Sequence, residues 1–153
     1  MDPPRVLQLP AYRVVQMPYT GGRPPAAAFF DHWRRFQGWC ARRGLRSVLS
    51  DVALIGYEPP GRPGARAFLY QVCVPVTEAY QPDDEAAAIA SIPGGSYVLC
   101  RGELPETPRL FRAARSYAAQ QGLAVERGGI EILRPVPDNP EWLVVDAGCR
   151  VHG

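Results

Sequence analysis

Glu131 stands between two isoleucines in "GGIEIL" (128–133). A carboxylate set in an apolar strand can hold a cation, accept a hydrogen bond or, with its pKa raised by burial, move a proton. Strand alternation puts Gly129, Glu131 and Leu133 on one face and Ile130 and Ile132 on the other. The isoleucines are expected to meet helices and Glu131 to look into a groove. Glu58, in "GYEPPG" (56–61), is a second carboxylate, close to a strand end. Tyr19, Tyr57 and Tyr97 combine a broad ring with a hydroxyl, which suits amphipathic ligands and cations. Trp39 and Trp142 are expected to edge the same groove.

Other chemistries find less support. Cys40, Cys73, Cys100 and Cys149 include no C-x-x-C pair, and the chain has two histidines. No metal and no cofactor is expected, and the cysteines read as small buried thiols. "PGG" (93–95) reads as a turn, because no G-K-[ST] follows it. "GGSY" lacks the G-x-S-x-G of a nucleophile elbow. His32 adjoins Asp31, but successive helical residues point apart. The net charge is +2 and every basic residue is arginine, with no basic run. Direct nucleic-acid binding is therefore not expected. No apolar segment has the length of a membrane span or a signal core, so no membrane association and a cytoplasmic location are expected.

These residues need elements to position them. The 153 residues suit one domain. Residues 1–10 read as an irregular leader and 11–153 as a single domain, with a first half at 11–76, a linker at 77–92 and a second half at 93–151. In the first half a strand (11–19) precedes a helix (26–43). Phe29, Trp33, Phe36 and Cys40 form the apolar stripe of that helix, and Gly44 stops it. Trp33 and Phe36 are expected in the core. Two strands follow, at 51–58 and 68–76.

The second half has a strand at 94–104 and a helix at 105–122. Leu110, Ala114, Tyr117 and Ala118 share a face of that helix, and Gly122 ends it. Two more strands, "GGIEILRPV" and "EWLVVDAGCRV", close the chain. "WRRFQGWCARRGL" (33–45) aligns without gaps to "FRAARSYAAQQGL" (111–123). The expected fold is α+β: duplicated β-α-β-β halves forming an antiparallel sheet, with helices on one face and a ligand groove between the halves.

In order, "MPYTGG", "FFDHWRRFQGWC", "ALIGYEPPG", "YQVCVPV", "SIPGGSYVLCRGEL", "GIEIL" and "VVDAGCRV" resemble the GyrI-like (gyrase-inhibitor-like) small-molecule-binding domain. That domain also forms the effector-binding part of some multidrug-sensing transcription regulators. The resemblance covers about residues 11–151. It implies an aromatic-lined groove for bulky, often cationic compounds, and it places the family's recurrent acidic residue on Glu131. The function implied is that of a stand-alone binding protein for hydrophobic or cationic aromatic small molecules, in drug or toxin sensing, sequestration or self-resistance. A protein partner such as DNA gyrase is a variant of this.

The alternative is a hydrolase that opens strained, cyclopropane-type electrophiles, with Glu131 orienting or deprotonating water. Two departures stand out. No helix-turn-helix segment accompanies the domain, so direct gene regulation is not expected. Leu133 occupies a place near the Glu where family members often carry tyrosine.

Overall fold

The structure is a computed structural model that describes residues 1–19, 27–45, 54–58, 70–76, 80–83, 87–136 and 139–152. Its strands are β1 (Arg5–Leu9), β2 (Tyr12–Tyr19), β3 (Leu54–Glu58), β4 (Tyr70–Pro75), β5 (Ala88–Ile92), β6 (Gly95–Glu103), β7 (Ala124–Val125), β8 (Gly129–Val136) and β9 (Asn139–His152). Helix α1 is Ala27–Arg42, and α2 is Thr107–Gln120, entered by a 3-10 turn at Leu104–Glu106. The architecture is α+β, with every strand pair antiparallel.

Two expectations are corrected. The first ten residues contain a strand, and so does the end of the 77–92 linker: β1 pairs β6, and β5 pairs β2. Each is five residues long and bordered by proline, which hides short strands in the sequence. The loop at 59–64, the helix entry at Pro24 and Pro25, and the side chain of Phe29 lie outside the described residues.

The sheet order is β1-β6-β9-β8-β3-β4-β2-β5, with β7 added beside β9. Connectivity then forces the sheet to curl. β1 ends at Leu9 and β2 starts at Tyr12, yet the two lie six places apart in the order. A flat sheet would separate them by about 29 Å, whereas the three steps from Leu9 to Tyr12 span at most about 11 Å. The β5–β6 link, through Pro93 and Gly94, imposes the same constraint. The two links touch, since a Cβ on Gly94 would lie 2.7 Å from the Ala11 nitrogen.

A curled sheet buries both of its faces. One face carries both helices: Phe36, Trp39 and Cys40 of α1 and Leu110, Ala114 and Ala118 of α2 share a core with Val15, Val74, Cys100, Leu133, Val145 and Ala147. The other face holds Val14, Ile55, Cys73, Tyr97, Leu99, Ile130 and Ile132, joined by Leu7 and Leu9 from one end of the order and Ile92 from the other. Among the described residues, no helix residue enters this second cluster.

Both helices end in the same way. Gly44 and Gly122 have φ of 65° and 69°, the left-handed conformation that glycine adopts without strain. Leu45 N–H donates to Cys40 O at 3.0 Å and Gly44 N–H to Ala41 O at 3.1 Å. Leu123 N–H donates to Ala118 O at 2.9 Å and Gly122 N–H to Ala119 O at 3.1 Å. These are paired Schellman closures, and they account for the matching Gly-Leu ends of the aligned segments. α2 then lies across β6 and β9, and α1 across β2.

Candidate functional site

Glu131 is 3% exposed. Its face follows from register. Cys100 pairs Ala147, Ala147 pairs Glu131, Glu131 pairs Gly56, Gly56 pairs Val72 and Val72 pairs Met17. Paired residues project from the same side of a sheet. Cys100 and Ala147 belong to the helix-side core and Met17 packs against it, so Glu131 projects toward the helices. The expectation that Ile130 and Ile132 meet the helices is overturned: both lie in the opposite cluster. Alternation was read correctly. The polarity was not, because a sheet buried on both faces gives its apolar residues no unique side.

Glu131 sits on β8 and Gly56 on β3, the two central strands of the order, between the strands that carry α1 and those that carry α2. Its lateral neighbours are small, Gly56 on one side and Ala147 on the other. Along β8 it is flanked on the same face by Gly129 and Leu133. A Cβ on Gly129 would come within 2.7 Å of the Phe111 ring, so α2 reaches over this part of β8. Glu58 pairs Gly129 and therefore shares the face of Glu131, one diagonal step away.

The other expected residues fall in different places. Trp39 is 5% exposed and stacked on Phe36, with ring centroids 6.0 Å apart. The Arg43 guanidinium lies 4.1 Å from its ring centre. Tyr57 and Tyr97 belong to the helix-free face. The Tyr97 hydroxyl donates to Pro93 O, and burial pushes its pKa up to about 12. Burial also raises Tyr57. Both tyrosines border a cavity of about 10 Å³, room for about one water. Tyr19 pairs Tyr70 at the end of β2 and Trp142 lies in β9, and their side chains are outside the described residues.

Trp33 is a residue whose polar atom the sequence reading passed over. It packs against the helix-side core. Its indole N–H is buried and has no hydrogen-bond partner among the described residues. Helical spacing marked it as apolar core and said nothing of the N–H. No group of three or more His, Cys, Asp or Glu among the described residues is arranged to hold a metal. No helix among them is long and apolar enough to cross a membrane.

The fold can be placed against solved structures. The EcmrR C-terminal domain superposes with a TM-score of 0.75 at 10% identity, covering 97% of this chain and 96% of that one. SAV2435, solved bound to tetraphenylphosphonium, gives a TM-score of 0.66 at 17% identity, covering 100% and 95%. The fold is GyrI-like. A hydrolase from Listeria innocua also shares this GyrI-like architecture, with a TM-score of 0.60 at 14% identity, covering 98% and 92%. No protein-family model matches the sequence, and comparison with curated proteins finds no match.

Proposed function

We propose that this protein binds hydrophobic, cationic aromatic small molecules on its helix-bearing face, over β8 and β3, with Glu131 as the anionic contact. The burial of Glu131 between the two helix-bearing parts of the sheet carries the proposal. A carboxylate removed from water interacts strongly with any cation brought beside it. Gly56, Gly129 and Ala147 leave the floor around it low. Phe111, against Gly129, supplies an aromatic wall. SAV2435 binds tetraphenylphosphonium, a lipophilic aromatic cation, on the same fold, which supports this ligand class.

The domain reading is part of the proposal: two β-α-β-β halves, 11–76 and 93–151, meet at β8 and β3. The strand order supports it, since β6-β9-β8 on one side mirrors β2-β4-β3 on the other. Tyr57 and Tyr97 then act as supports beneath the site, from the opposite face. Drug or toxin sensing, sequestration and self-resistance are roles such a site would serve.

Calorimetric titration with tetraphenylphosphonium tests the site. Saturable binding is expected, and Glu131→Gln should weaken it about tenfold or more, which is about 1.4 kcal/mol. Undiminished affinity in that variant would remove Glu131 from the site. The hydrolase from Listeria innocua motivates a second reading, in which Glu131 positions water against a strained electrophile. Product analysis with a cyclopropane-bearing alkylator separates the two: turnover that vanishes in Glu131→Gln supports hydrolysis, and unchanged recovered compound supports binding alone.

A further inference from the structure

A concavity lies along α1, lined by Met17, His32, Phe36, Gly38 and Trp39 and by the arginines 34, 35 and 42. Its volume is about 500 Å³, within the range of small-molecule sites. Glu131 does not line it, and neither does any other acidic residue among the described residues. The floor is apolar: Phe36 and Trp39 stack with planes 9° apart, and Met17 adds a thioether. Arg35, Gly38, Trp39 and Arg42 stand at i, i+3, i+4 and i+7, one flank of the helix.

The rim is cationic. Arg34 reaches Asp31 at 3.5 Å, between two strongly exposed side chains. Arg35 and Arg42 are exposed, and neither has an ion-pair partner among the described residues. Arg43, by contrast, is neutralised by Asp83 at 2.7 Å. A planar guanidinium without a carboxylate is a ready partner for a carboxylate or sulfonate. Glycine at position 38 keeps the space between the two arginines open. A Cβ there would already lie 3.4 Å from the Arg42 guanidinium.

We infer that this flank of α1 is a separate binding site for amphipathic organic anions, compounds with a flat apolar body and a carboxylate or sulfonate. The body lies against Met17 and the exposed edge of Trp39, with the buried Phe36 beneath, and Arg35 and Arg42 hold the anionic group. The charge preference is opposite to that proposed at Glu131. One protein would then take ligands of both signs at two places.

The probe is 8-anilinonaphthalene-1-sulfonate, followed by fluorescence in the intact protein, with 2-naphthoate as competitor. Saturable binding, displaced by 2-naphthoate and weakened by salt, is expected. The double variant Arg35→Gln/Arg42→Gln should lose about tenfold in affinity. Both side chains are exposed, so circular dichroism should show the fold intact. Gly38→Asp, which sets a carboxylate on the rim, should abolish binding. Glu131→Gln should leave it unchanged, which separates this site from the cation site whatever happens there. Undiminished affinity in both rim variants overturns the inference, and so does displacement by tetraphenylphosphonium. Displacement by an acidic peptide but not by 2-naphthoate would assign the flank to a protein partner and equally overturn it.

Discussion

Glu131 on β8 stands in direct antiparallel register with Gly56 on β3, at the middle of the strand order. The pairing gives the carboxylate a neighbour without a side chain. Gly56→Leu would raise a branched side chain beside it on the same face. Affinity for tetraphenylphosphonium should fall by about tenfold or more, while binding of anilinonaphthalene sulfonate on α1 stays within a factor of two. Paired titrations of the variant check this. Equal loss for both probes would mean that the substitution disturbs the fold and not the site.

Ile132 and Leu133 provide a sharper contrast. They are consecutive and equally buried, yet they enter different cores. Truncating either to alanine should cost roughly 2–5 kcal/mol in urea unfolding. Leu133→Ala should also change tetraphenylphosphonium affinity, since it adjoins Glu131 on the same face. Ile132→Ala should not. Equal effects on binding would contradict the face assignment.

Much of this fold was legible in the sequence. The helical stripe through Phe36 and Cys40, the glycine stops at Gly44 and Gly122, and an α+β chain with two helices set among strands all followed from periodicity and turn chemistry. β1 and β5 did not, because five-residue strands that run into a proline give too few alternations to stand out. Their partners are also far away in sequence, 86–94 positions for β1 and 72–80 for β5. The direction of Glu131 was misread for a related reason. Alternation says that Glu131 and Ile132 oppose one another. Which of them meets the helices depends on the curl, and the curl arises from links such as Pro10–Ala11 that carry no hydrophobic pattern. The placement of Tyr57 and Tyr97 away from Glu131 follows from register: Gly56 and not Tyr57 pairs Glu131, and Cys100, three residues from Tyr97, shares the face of Glu131 through Ala147.

Gly148 makes the closeness of β6 and β9 testable. A Cβ there would lie 1.8 Å from the carbonyl oxygen of Val98, well inside contact distance and against backbone that cannot rotate away. Gly148→Ala should therefore destabilise the protein by about 3 kcal/mol or more, a large part of the stability of an ordinary domain. Thermal and urea unfolding would measure it. A change below about 0.5 kcal/mol, the usual scatter of surface substitutions, would show that β9 has room to move.

Asp146 contributes to the response to acid. It is 1% exposed and accepts two hydrogen bonds from Arg101, at 2.9 Å each, and another from Arg134. Burial alone would raise its pKa. The Arg101 hydrogen bond and the charges of Arg134, Arg101 and Arg5 outweigh burial and hold the carboxyl below its usual value. A depressed folded-state pKa contributes stability above the unfolded value, near 3.9, and loses it as pH falls through the lower folded value. Stability should thus be flat in this group near neutrality and decline below about pH 4. Asp146→Asn should cost about 3 kcal/mol at pH 7, at the low end for a broken buried pair because both arginines keep contact with water. The variant should also show a shallower acid limb in urea unfolding between neutrality and low pH. An acid limb as steep as the parent's would place the titrating group elsewhere.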